Sequence, residues 1–197
     1  VPAEWQEIIS IDPGLNNPLS AHWYCVDWDG NVYAVAEHYA AGRDVDYHAQ
    51  RILEISRALG WKADSRGRVR ALIDSAANQR TLASEKNVTE LFYARGLSLS
   101  PKVCKDVFTG IARVKSYLLT GRLKIFSTCV NLIREFKSYW WSEGDNPVKK
   151  DDHALDALRY YIMTRPEPPR LPERRRTMIE LDKERLVKFN HTRGRHI

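Results

Sequence analysis

The chain has 197 residues, 43% of them hydrophobic, which is enough for one α/β domain with a buried core and a tail. Its formal net charge of +6 suggests a polyanionic partner, and residues 165–197, with 10 Lys/Arg against 5 Asp/Glu, carry +5 of it, so the body is nearly neutral. Three widely spaced cysteines and the absence of any apolar run near ~18 residues exclude a disulfide framework, a CxxC zinc site and a membrane-spanning helix, so a soluble, intracellular protein is expected.

Glu7-Ile8-Ile9-Ser10-Ile11-Asp12 is a β-branched run stopped by Pro13-Gly14, which predicts a buried strand and a turn. His22 to Val26 and Asn31 to Ala36 flank Asp29-Gly30, a strong hairpin signal. Ile52, Ile55 and Leu59 predict a helix over 45–59, closed by Gly60. Val69 to Asp74 repeats the first pattern, a strand ending on an aspartate. A helix is expected over 81–95, a short strand over 97–99, and an amphipathic helix through Val107, Ile111, Val114 and Leu118. Leu123 to Phe126 reads as a strand, and Cys129, Ile133, Phe136 and Trp140 as a second 4-3-4 helix that makes Trp140 core. Tyr139, Trp140 and Trp141 are otherwise candidates for stacking on bases.

The stretch Lys149-Lys150-Asp151-Asp152-His153-Ala154-Leu155-Asp156-Ala157-Leu158-Arg159-Tyr160-Tyr161 predicts a last helix whose apolar face is Ala154, Leu155, Ala157, Leu158, Tyr161 and Ile162. Asp152 and Asp156, four apart, stack on another face beside His153 and repel unless a cation lies between them. Capping accounts for Asp151 or Asp152 but not for Asp156 a turn further in. Beyond Met163, four prolines between 166 and 172 predict a linker, with a basic tail to 197; residues 1–165 form the expected domain.

Strands alternating with helices predict an α/β sheet whose site lies at the carboxyl ends of its strands. Asp12 and Asp74 both end such strands. Each alone has an ordinary explanation, as a turn residue and a helix cap. With Asp152 and Asp156 they make an all-carboxylate set suited to Mg²⁺ or Mn²⁺, and two such ions roughly 3.5–4 Å apart can drive phosphodiester hydrolysis. Lys102, Lys105, Arg113 and Lys115 are candidate phosphate contacts, although a solvated helix face explains any one of them as well. His22, His38 and His48 lack ligand spacing and are read as structural.

Ile11-Asp12-Pro13-Gly14, Leu72-Ile73-Asp74-Ser75 and Lys150-Asp151-Asp152-His153-Ala154-Leu155-Asp156-Ala157-Leu158-Arg159-Tyr160, with Gly110-Ile111, Gly121-Arg122-Leu123 and Cys129 to Phe136, resemble the nuclease domain of the large terminase subunit of tailed bacteriophages and prophages. The resemblance spans about 2–163. It implies a ribonuclease H-like mixed central sheet flanked by helices, with the basic C-terminal extension outside it. It also implies a metal-dependent DNA endonuclease that cuts concatemeric viral DNA during packaging. Asp12, Asp74 and an acid of the last helix, Asp152 or Asp156, would bind the metals, and His153 would lie near them. Partners implied are double-stranded DNA, the packaging ATPase domain, the small terminase subunit and the portal, in the host bacterial cytoplasm. No GxxxxGK[ST] phosphate loop is present, so an excised domain is expected, with Val1 to Trp5 as interdomain linker. A junction resolvase or ribonuclease H on the same fold, or a non-catalytic DNA- or portal-binding module, are the alternatives.

Overall fold

A computed structural model describes residues 1–14, 16–78, 87–140, 147 and 151–165. Six strands form one mixed sheet: β1 (Gln6–Asp12), β2 (Leu19–Val26), β3 (Val32–Ala40), β4 (Val69–Ile73), β5 (Leu97–Ser100) and β6 (Leu123–Ile125), in the order β5-β4-β1-β2-β3-β6. β1, β2 and β3 are an antiparallel meander, while β4 adds in parallel beside β1, β5 beside β4 and β6 beside β3. The predicted hairpin forms around a loop that the Asp27 carboxylate holds, accepting from the Asn31 amide at 2.8 Å and the Asp29 amide at 3.0 Å.

β2 is buried along nearly its whole length because both faces of the sheet are covered. On one face Ile9, Ile11, Ala21, Trp23, Cys25, Ala71 and Ile73 join α1 (Val45–Ala58) and α2 (Val88–Ala94). On the other, Tyr24, Val32 and Ala34 join α3 (Val107–Leu119), α4 (Val130–Ser138) and α5 (His153–Thr164), with the Tyr24 and Tyr161 rings stacked at 3.9 Å. The two-residue period of a strand thus sorts each sequence. With Ile9, Ile11, Ala71 and Ile73 facing α1 and α2, positions 10, 12, 72 and 74 face α5.

Most expected elements occur within a residue or two. α4 stops at Ser138, so Trp140 lies beyond it and is 55% exposed rather than core. The expected linker at the amino end includes a 3-10 turn over Ala3–Trp5, and the Trp5 ring stacks on Tyr33 at 5.8 Å. Of the helix expected over 81–95, only α2 falls among the described residues. Trp141, Lys149, Lys150 and the tail from Pro166 lie outside them. All three cysteines are free thiols, and among the described residues no helix is long and apolar enough to cross a membrane.

His22, His38 and His48 are buried, as expected of structural residues, and two of them are paired. His38 Nε2 and His48 Nδ1 lie 2.9 Å apart, so one nitrogen donates and the other accepts. Burial, then the neighbouring His48 and Arg51, depress His38 to about 4, and burial depresses His48 as well. An unfolded histidine titrates near 6.5, so between pH 6.5 and 4 the unfolded chain takes up a proton that the fold refuses. Stability supplied by neutral His38 is therefore complete above pH 6.5 and is lost as pH falls toward 4. Urea titrations at pH 7 and pH 4.5 should show His38→Gln losing about 2 kcal/mol less than the parent over that interval. Equal losses would rule out the pair as the acid-sensitive element.

Candidate functional site

β1 and β4 run parallel, with Ile11 paired to Ile73, so the next residues, Asp12 and Asp74, end side by side at the carboxyl edge of the sheet. Both belong to the α5-facing set of strand positions, and both are buried, each 8% exposed. α5 begins above that edge. Its first turn brings Asp152, His153 and Asp156 to the same cleft, of about 640 Å³, which is also lined by Pro13, Asn17, Lys105, Tyr139, Asp151, Arg159 and Tyr160. All five residues proposed as catalytic from the sequence therefore line one cavity.

The acids are held by specific partners. His153 Nδ1 lies 3.0 Å from Asp12 Oδ2, and the pairing raises the imidazole pKa while opposing the rise at the carboxyl. Burial pushes Asp12 up to about 6 all the same, with Asp156 and Asp74 adding like-charge repulsion. The Tyr160 hydroxyl donates to Asp74 Oδ2 at 2.9 Å, and Lys105 Nζ reaches Asp74 Oδ1 at 2.5 Å. Arg159, 6% exposed, donates to Asp156 Oδ1 at 2.7 Å and to the Lys105 carbonyl at 3.1 Å. Its aliphatic stem passes against α3 where that helix has Gly110; a Cβ there would sit 2.4 Å from Arg159 Cγ.

The helix start differs from the expected one. α5 begins at His153, Asp151 takes a positive φ of 52°, and Asp152 occupies the N-cap position without a side-chain cap hydrogen bond. Neither aspartate caps the helix. Instead Glu135 of α4, fully buried, accepts from the Ala154 amide at 2.7 Å and the Leu155 amide at 3.1 Å. Sequence reading missed Glu135, Arg159 and Tyr160. A signal for Glu135 exists: with Leu132 and Phe136 it falls on the apolar stripe of α4, where a carboxylate must have a buried partner.

Of the four candidate phosphate contacts, Lys105 enters the cleft, as the partner of Asp74. Lys102 is exposed in the loop before α3, Arg113 is half-buried on α3, and Lys115 is exposed beside a small apolar groove between α3, α4 and α5. Among the described residues no three His, Cys, Asp or Glu side chains converge tightly enough to grip an ion as they stand. The donor set nevertheless fits a hard divalent cation. It is carboxylate oxygen throughout, and Asp12, lifted toward neutrality by burial and then by Asp156 and Asp74, would be relieved by a cation among them.

The family model described as Terminase RNaseH-like domain matches residues 9–165. The terminase large subunit of Salmonella phage P22 is 41% identical over 60 residues, 30% of this chain and 12% of that protein. That of Escherichia phage T5 is 27% identical over 169 residues, 80% of this chain and 35% of that protein. This chain thus spans at most about a third of the curated relatives it matches. The nuclease domain of the P22 large terminase superposes with a TM-score of 0.69 at 21% identity, covering 89% of each chain. The nuclease domain of the bacteriophage SPP1 large terminase, solved with manganese bound, gives 0.54 at 18% identity, covering 78% of this chain and 84% of that one.

Proposed function

This chain belongs to the terminase ribonuclease H-like domain family, and from that premise we propose that it is a divalent-metal-dependent DNA endonuclease, the cutting domain of a large terminase subunit acting on concatemeric viral DNA during genome packaging. The observation that carries the reading is the meeting of Asp12 and Asp74, from adjacent parallel strand ends, with Asp152 and Asp156 of α5 in one cleft. Asp12, Asp74 and the α5 acids would hold the metal, Mg²⁺ or Mn²⁺ in two sites, and related nuclease domains solved with manganese or magnesium bound support that choice. Bound there, the ions supply water activation and charge stabilisation at the leaving oxygen.

The chain's own residues prepare the cleft. Tyr160 fixes the rotamer of Asp74 from below, and His153 fixes Asp12 through Nδ1. The Asp12 carboxylate holds the His153 imidazole above its ordinary pKa, and the imidazolium form offsets one carboxylate charge. Lys105 and Arg159 do the same for Asp74 and Asp156, which holds four acids in a partly dry cleft at tolerable cost. Lys105, exposed at the cleft rim, is also positioned to meet a backbone phosphate. Double-stranded DNA in the host bacterial cytoplasm is the proposed substrate, with the packaging ATPase domain, the small subunit and the portal as partners.

Plasmid nicking by the purified chain in Mn²⁺ or Mg²⁺ tests this. Conversion of supercoiled to nicked and linear DNA is expected, abolished by EDTA, without preference for a four-way junction or an RNA–DNA hybrid over plain duplex. Absence of metal-dependent cleavage at any metal or protein concentration would leave a DNA- or portal-binding module instead. Preference for junction or hybrid would move the chain to a different substrate class.

A further inference from the structure

A carboxylate outside the cleft also holds the start of α5. We infer that Glu135 is a positioning residue for the proposed nuclease site: it clamps the first turn of α5 and so sets where Asp152 and Asp156 stand relative to Asp12 and Asp74. The inference rests on the nuclease reading and deepens it.

A helix leaves its first amides without intrahelical acceptors, and the usual remedy is the side chain of its own N-cap residue. α5 has Asp152 at that position, yet the cap bonds come from Glu135 on a different helix. A local cap follows its helix wherever it moves, whereas a cap from α4 ties the start of α5 to the rest of the fold. Glu135 is itself held, because the Tyr39 hydroxyl donates to its other oxygen at 2.8 Å. α4 in turn is clamped in the same way. Glu37, two residues before Tyr39 on β3, accepts from the Asn131 amide at 2.7 Å and the Leu132 amide at 3.1 Å, at the start of α4. Two glutamates in series therefore run from the sheet to α4 and from α4 to α5, and each replaces a local cap with a tertiary one.

The consequence is geometric. Asp12 and Asp74 are fixed to the sheet by β1 and β4. α5 meets the sheet directly through His153 on Asp12, Tyr160 on Asp74 and Tyr161 on Tyr24, and the path through Glu37, α4 and Glu135 holds the backbone of its first turn in addition. The spared capping position lets Asp152 stand at the cleft, and its backbone carbonyl accepts from the Asp156 amide at 2.8 Å, so the two acids move as one turn. A metal site tolerates displacements of only about 0.5 Å, so the clamp acts on affinity for the ion as well as on fold stability.

The test uses Glu135→Ala, which removes both cap bonds, and Glu135→Gln, whose amide oxygen still accepts from a helix amide. Ile52→Ala, in the core on the opposite sheet face, serves as a control of lowered stability without a displaced α5. Calorimetric titration with Mn²⁺, well below each melting temperature, should show affinity down at least tenfold in Glu135→Ala, within threefold of the parent in Glu135→Gln, and unchanged in Ile52→Ala. Plasmid cleavage by Glu135→Ala should fall in kcat with KM for DNA held. If the parent binds Mn²⁺ and Glu135→Ala, shown folded by circular dichroism, binds it equally well, the positioning role is wrong while the nuclease reading stands. An affinity loss in Ile52→Ala matching that of Glu135→Ala would reduce the effect to stability and overturn the proposal. A parent that binds no Mn²⁺ and cuts no DNA overturns both together.

Discussion

Asp12→Asn and Asp74→Asn should each lower plasmid cleavage by roughly two to three orders of magnitude, the scale for removing one preorganised electrostatic contact at a reacting centre. The same variants should melt at or above the parent temperature when metal is absent. Asp12 explains why. With its carboxyl lifted from 3.8 to about 6, ionisation at neutral pH costs the fold about 3 kcal/mol, since each unit is worth about 1.4. Asparagine avoids that cost and retains a side-chain oxygen toward His153, though a weaker acceptor than the carboxylate. A net gain of up to about 2 kcal/mol is expected. Stabilisation by added Mn²⁺ should shrink in both variants, because fewer ligands bind the folded state more weakly. On α5, the asparagine variant of whichever acid ligates, Asp152 or Asp156, should behave like Asp12→Asn. Cleavage at the parent rate by either strand variant would end the two-metal reading.

Arg159→Met should be the most damaging single change to stability around the cleft. Removing one partner of a buried ion pair typically costs 3–5 kcal/mol. Here the Asp156 side chain is 29% exposed, so water recovers part of that. The Lys105 carbonyl also loses its donor. A loss of about 2 kcal/mol is expected, measured in EDTA by urea unfolding, with Arg159→Met/Asp156→Leu recovering part of it. Gly110→Ala probes the same side chain from α3. Helix propensity favours alanine by about 1 kcal/mol, yet the new methyl must displace the buried Arg159 stem at 2.4 Å. Net destabilisation is expected. A more stable Gly110→Ala protein, or an Arg159→Met protein as stable as the parent, would show that the guanidinium is not seated as described.

The parts of this architecture legible in the sequence are those set by local pattern. β1 and β4 announce themselves by short apolar runs that stop on an aspartate, and the period of a strand then decides that both aspartates share a face. α5 was legible from its apolar spacing, and the pairing of Asp152 with Asp156 from the helical repeat. What escaped was set by contacts distant in the chain. Capping logic assigned Asp151 or Asp152 to the start of α5, because a cap is ordinarily local; Glu135 supplies it from α4. Lys105 was legible only as a candidate phosphate contact, and it is the folding of the segment between β5 and α3 against the carboxyl end of β4 that pairs it with Asp74. Trp140 fitted the heptad-like rhythm of α4, but the helix ends two residues earlier and its ring faces solvent.

The span of the cleft's bonds has a consequence for how the protein is made. Asp12 meets His153 across 141 positions, and Asp74 meets Tyr160 across 86. Closing loops of that length is entropically slow, and none of these bonds can form before α5 has been synthesised. At about 5–20 residues per second, the ribosome holds β1 to β3 outside the tunnel for several seconds before the last helix arrives. A nascent or prematurely terminated chain therefore carries its two strand aspartates on an open sheet edge with nothing above them. The four acids of the proposed nuclease site can therefore meet only after α5 has emerged, and a chain that stops before Asp152 lacks two of them.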